Sequence, residues 1–187
     1  KIAWQLGYTN RSPAKRLEAF MGDYYRHVRN IDLIVRSVER RLALVPRPAW
    51  QQAIGRWVGG RKEQIIDGFR IIDGEISFVN RRVFRDQPRK LMRVFLLMQR
   101  HSVRLHPDLA QRIRDQVWLV NRKFREDIHV HETFLEILNQ PGAVGHVLRR
   151  MHELDFLGKY LPEFGRLTCL VQHEFYHQYT VDEHTLV

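Results

Sequence analysis

Residues 12–46 read SPAKRLEAFMGDYYRHVRNIDLIVRSVERRLALVP, and the reading of this stretch decides the fold class. Ser12 can cap free backbone N–H groups, and Pro13 is pre-set for a first helical position. Apolar residues then recur at Leu17, Phe20, Tyr24, Val28, Ile31, Val35, Val38 and Leu42, in steps of three and four. That spacing is one stripe of an α-helix, which ends before Pro46 and Pro48. Arg16, Arg26, Arg29, Arg36 and Arg40 fall on the opposite side. A helix of some thirty residues is about 45 Å long at 1.5 Å per residue, a length that reads as the spine of a bundle.

Working outward, Ala49–Val58 reads as a short helix stopped by Gly59-Gly60. The period then changes. Phe69–Val79 is two β-type runs around Asp73-Gly74, a dipeptide that tolerates the positive φ angles of a two-residue hairpin turn. Helical spacing returns after Asp86-Gln87-Pro88, with Leu91, Val94, Phe95 and Met98 on one face. Further helices follow from Pro107, over His131–Leu138 and over Ala143–Phe156, punctuated by Pro141-Gly142 and Pro162. The fold class expected is therefore mainly α: a helical bundle with one long N-terminal helix and a single β-hairpin insertion near residues 68–79.

The chain has 187 residues, with 31 Lys and Arg against 21 Asp and Glu, a formal charge of +10. The charge is segregated: residues 1–125 carry 27 basic and 11 acidic side chains, residues 126–187 carry 4 and 10. Such a split can mean an anionic partner for the basic part, or only an Arg-rich solvated surface. No apolar run approaches the ~18 residues that cross a bilayer, and no signal peptide opens the chain, so a cytoplasmic location without a membrane partner is expected. One cysteine, Cys169, can form neither an internal disulfide nor a cysteine zinc site and reads as a core thiol.

Three patterns invite a chemical reading. His173-Glu174-Phe175-Tyr176-His177 fits H-E-x-x-H, whose histidines share a helix face and can hold zinc. No third ligand follows on a separate helix, so structural or surface histidines are the better account. Asp73-Gly74-Glu75 could pass for paired metal-binding carboxylates, but turn chemistry explains both residues. Thr180-Val181-Asp182-Glu183 is an S/T-x-x-E capping box, which starts a helix that includes His184. No nucleotide-binding glycine loop or nucleophile elbow occurs.

The stretch 172–186 resembles a signature of the PII uridylyltransferase/uridylyl-removing enzymes, with Tyr179-Thr180-Val181-Asp182-Glu183-His184-Thr185 as its specific core. Similar too are Asp23-Tyr24-Tyr25-Arg26, Phe134-Leu135-Glu136-Ile137-Leu138, Pro141-Gly142-Ala143-Val144, Met151-His152 and Leu157-Gly158. The resemblance implies a helical middle domain over residues 1–179 and the first turn of a truncated HD-domain helix over 180–187. In the family this region lies between a nucleotidyltransferase domain, which transfers UMP from UTP to a tyrosine of the PII protein, and an HD phosphohydrolase domain, which removes it under glutamine control. It implies His184 as first metal ligand of the HD set, Mg²⁺ and a second divalent metal in the parent enzyme, no cofactor in this fragment, and no catalytic residue within it. PII, UTP and the flanking domains are the partners implied. A basic helical adaptor for nucleic acid or protein, a zinc hydrolase on His173 and His177, and a glutamine-synthetase adenylyltransferase-like helical domain are the alternative readings.

Overall fold

The computed structural model describes residues 2–43, 63–170 and 180–186. The expected helix over 49–58 and the H-E-x-x-H stretch therefore lie outside the described residues.

A short helix α1 (Ile2–Gln5) precedes the long helix α2 (Pro13–Ala43), which matches the stripe read from the sequence. The two are joined by side chains: the Arg16 guanidinium sits 4.7 Å over the Trp4 ring, and Tyr8 meets Phe20 edge-on. The Tyr8 hydroxyl donates to Asp23 at 2.9 Å.

The expected hairpin is present and is part of a larger sheet. Strands β1 (Gln64–Ile66), β2 (Phe69–Ile72) and β3 (Glu75–Phe78) form an antiparallel meander, and β4 (Arg104–Leu105) pairs parallel to β3. The extra antiparallel strand comes from a second tight turn. Asp67-Gly68 and Asp73-Gly74 both hold positive φ at both positions, 53° and 81° in one and 51° and 77° in the other. That is the geometry of a type I′ turn, whose twist matches that of the flanking strands. Register follows, with Ile66 opposite Phe69 and Ile72 opposite Glu75. Phe69, Ile71 and Ile76 point into the core while Arg70 points out.

Between β3 and β4 run α3 (Val83–Asp86) and α4 (Lys90–Arg100). Here an expectation needs correction. The spine of the molecule is α4, not the longer α2. Eight of its eleven residues are buried, from Leu91 and Met92 through Val94–Gln99. A helix surrounded on all sides has no polar face, so the single apolar face read at Leu91, Val94, Phe95 and Met98 understates it. Its C-terminus closes with Ser102 at φ 50° and a bond from Val103 N to Met98 O at 3.1 Å, the Schellman arrangement.

The remaining helices wrap this core: α5 (Pro107–Asp115), a 3₁₀ turn Val117–Leu119, α6 (Arg122–Arg125), α7 (Ile128–Asn139), α8 (Val144–Glu153), α9 (Phe156–Tyr160) and α10 (Pro162–Gly165). Their starts are written in capping side chains. Asn121 accepts from Phe124 N and Asp127 from His129 N, so α7 begins three residues before His131. Phe95 and Phe156 meet with tilted rings 5.0 Å apart, and Phe134 meets Tyr160 at 4.9 Å. Helices α9 and α10 approach so closely that a Cβ on Gly165 would lie 2.6 Å from the Gly158 carbonyl oxygen. Last comes α11 (Val181–Thr185).

By contrast, none of the described side chains of α2 is buried. Val28, Ile31, Ile34, Val35, Val38 and Leu42 are 41–64% exposed.

Candidate functional site

The chemistry-bearing side chains gather where α2 crosses the corner between α8 and α9. The corner is sharp because Asp155, a non-glycine residue, holds φ at 58° between the two helices. Arg29 of α2 reaches it with both nitrogens. Its Nη1 donates to Asp155 Oδ1 at 3.0 Å, and its Nη2 donates to the His152 carbonyl at 2.6 Å. That carbonyl belongs to the last turn of α8, where oxygens lack helical partners and the helix dipole favours a cation. Arg29 thus ties two elements 123 residues apart in sequence.

On the inner side of the same corner, the His152 ring meets α11. His152 Nε2 lies 3.0 Å from Asp182 Oδ2, with both side chains buried. A carboxylate only accepts, so the ring nitrogen is the donor. Cys169 N donates to the same oxygen at 3.1 Å, and the Thr180 hydroxyl also bonds to this carboxylate. Burial works to raise the Asp182 pKa, yet the hydrogen bonds from His152, Thr180 and Cys169 outweigh it and hold the carboxyl down at about 2. Asp182 is therefore a buried carboxylate. Its Oδ1 has no hydrogen-bond partner among the described residues. Leu186 packs into the main core, and Arg149 Nη2 donates to its carbonyl at 3.1 Å. Helix α11 is thus fastened to α8 at both ends, by Asp182 in its first turn and by Leu186 just past its last residue.

Outside the Arg29 contact opens a groove of about 820 Å³ lined by Arg26, Arg29, Arg125, Lys159, Arg166 and Asp155, with α2, α6 and the α9–α10 segment as its walls. Arg26 is paired with Asp23 and Arg29 with Asp155. The cations of a second concavity are matched more fully. In a smaller cavity of about 280 Å³, Lys90 and Arg93 share Asp67, and Arg89 holds Asp127 at 2.6 Å. There the Arg89 hydrogen bond and the His129 N–H keep the Asp127 carboxyl low against the opposing effect of desolvation.

The sequence-derived candidates fare unevenly. Asp73-Gly74 is a turn, as read. Cys169 is buried, and it is its backbone N–H that reaches Asp182. The helix expected at the capping box exists, but the Thr180 hydroxyl turns to Asp182, and the Glu183 half of the box lies outside the described side chains. His184 lies on α11, and its side chain is likewise outside the described ones. Among the described residues no three His, Cys, Asp or Glu side chains converge to hold a metal ion. One histidine falls short of the three or four protein ligands a divalent ion takes. The functional pairings of Arg29 and of His152 with Asp182 were not legible. His152 and Asp182 stand in the signature segments, but nothing in a spacing of 30 residues says that they touch.

A mainly helical body around one small four-stranded sheet, with a last short helix fastened to it, defines a helical domain. Residues 69–160, from β2 through α9, match the family model described as the uridylyltransferase GlnD third domain. The chain belongs to the family of the bifunctional uridylyltransferase/uridylyl-removing enzymes. It is 34% identical over 187 residues to the bifunctional uridylyltransferase/uridylyl-removing enzyme of Pseudomonas putida, and 32% identical over 191 residues to that of Nitrosococcus oceani. The Azospirillum brasilense enzyme is 32% identical over 186 residues. Each alignment covers 99% of this chain and 20% of the relative, so the chain spans about one fifth of the length of the relatives it matches. No solved structure matches it. Among the described residues no helix is long and apolar enough to cross a membrane.

Proposed function

We propose that this chain is the helical middle domain of a uridylyltransferase/uridylyl-removing enzyme, residues 1–179, leading at 180–187 into the first helix of an HD phosphohydrolase domain. In that reading the parent enzyme, a cytoplasmic protein, transfers UMP from UTP to a tyrosine of PII and hydrolyses it off under glutamine control. The middle domain joins and orients the two catalytic domains and contributes no reacting group to either. His184 is the first ligand of the second divalent ion, at the HD site, and the other ligands of that ion and those of the parent's Mg²⁺ come from the flanking domains.

The observation that carries this reading is the buried His152–Asp182 pair. Two residues ahead of His184, it fixes the start of α11 to the helical body, so the position of the metal-bearing turn is set by α8. The exposed apolar stripe of α2 supports the same reading, since a contiguous apolar face of that length suits burial by a neighbouring domain.

The test uses the enzyme with its flanking domains present. Asp182→Ala is expected to slow uridylyl removal from PII about ten-fold or more, as loss of a group that orients a metal ligand does. Uridylyl transfer should stay within about two-fold, because the proposal gives α11 no part in that reaction. Removal at the unaltered rate would overturn the proposal.

A further inference from the structure

The groove beside Arg29 is the strongest unassigned feature of the molecule. Five cationic side chains, Arg26, Arg29, Arg125, Lys159 and Arg166, line it together with one carboxylate, Asp155. Two of the five have carboxylate partners, Asp23 and Asp155. Among the described residues the other three have none, and Arg125 Nε is buried without any hydrogen-bond partner. A buried guanidinium N–H left unpaired costs free energy that a ligand oxygen can recover. The cations come from both halves of the charge split: Lys159 and Arg166 are two of the four basic residues in the otherwise acidic last third. The convergence is a property of the fold and not of a basic run.

We propose that this groove is a binding site for a small polyphosphate anion, held by Arg125, Lys159 and Arg166. Its volume of about 820 Å³ falls within the range of ligand pockets. Guanidinium forks match phosphoryl oxygens in pairs, and Lys159 adds a point charge. Convergence of the cations on one concavity favours a compact ligand of high charge density over an acidic peptide, whose carboxylates are spread along a backbone. Among the described residues the only aromatic ring in the wall is the buried His152 imidazole, so recognition falls on phosphate and not on a nucleobase. The inference does not depend on the enzyme reading above.

The experiment is calorimetric titration of the full 187-residue chain at low salt with sodium tripolyphosphate, pyrophosphate, UTP and a ten-residue glutamate peptide. Tripolyphosphate is expected to bind one to one and more tightly than pyrophosphate, with UTP within about ten-fold of tripolyphosphate. Lys159→Gln with Arg166→Gln, both at exposed positions, should weaken it about ten-fold or more, while Arg11→Gln with Arg85→Gln leaves it within two-fold. Arg125→Met should weaken binding without lowering the thermal midpoint, since it also removes an unpaired buried donor. Absence of saturable binding, equal weakening by the control pair, tighter binding of the glutamate peptide, or a clear preference for UTP beyond ten-fold would each overturn the assignment.

Discussion

Helices α2 and α4 carry the same kind of apolar periodicity and meet opposite fates. In α4, Leu91, Met92, Val94, Phe95 and Leu96 are wholly buried, and the sheet, α7 and α8 close around them. In α2, nearly three times as long, Ile31, Ile34 and Leu42 are more than 60% exposed. Periodicity says that a face is to be covered and is silent on what covers it. For α4 the cover is this chain. For α2 the described residues supply little beyond α1, α5 and the single reach of Arg29. The comparison separates a self-sufficient core from an arm that the fold holds at one end.

The sharpest way to break the comparison is Phe95→Ala in α4. Deleting that ring, packed against Phe156 at 5.0 Å, removes transfer energy and leaves a cavity, so a loss of about 3–5 kcal/mol is expected in denaturant unfolding. A loss below 1 kcal/mol would mean that α4 is not the spine.

Next in size is the acid behaviour of the clamp on α11. The Asp182 carboxyl titrates lower in the folded chain, at about 2, than its ordinary value of 3.8. Its contribution is therefore fully present above about pH 5 and is lost as pH falls through 4 towards 2. Integrated over that shift, the contribution is about 2 kcal/mol. Stability measured from pH 5 to pH 2 should fall less steeply in Asp182→Asn than in the unaltered chain, and parallel curves would remove the clamp from the account.

The smallest effects belong to α2. Arg29→Met, which drops the bonds to Asp155 and the His152 carbonyl, should cost about 1 kcal/mol. That loss should appear as faster amide exchange confined to α2. Ile34→Ala in the exposed stripe should shift the unfolding midpoint by less than about 0.5 kcal/mol. A larger effect from Ile34 than from Arg29 would invert the picture of an arm held by its charged tie.

What was legible follows from locality. Helix α2 could be read to within a few residues because its period lies inside it and its cap candidate and terminating prolines lie close beside it in the chain. The Asp73-Gly74 turn was legible because φ preference is a property of the dipeptide. The Asp67-Gly68 turn carried the same signal at only three residues' remove from flanking β-type residues, and β1 is a short strand with one half-buried side chain, too brief to show alternation. Strand β4 is two residues long and is held by the edge of β3, so nothing in Arg104-Leu105 alone could announce it.

The candidate site was less legible still. In the sequence Arg29 is one of a row with Arg16, Arg26, Arg36 and Arg40 opposite the apolar stripe, and nothing local sets it apart from Arg26, which stays exposed. What distinguishes it is the αL turn at Asp155, 126 residues away. Likewise Lys159, Arg166 and Arg125 sit in ordinary stretches and become a groove only when α6 and the α9–α10 segment are folded against α2.

The sequence by itself determined the helical class, the placing of the long arm, the tight turn and the family, because each is written in short-range spacing or in a contiguous signature. Tertiary structure alone decided which helix is the spine, which histidine meets which aspartate and where the positive charge converges. Those depend on which surfaces bury one another, and burial is a property of the packed chain that no local pattern contains.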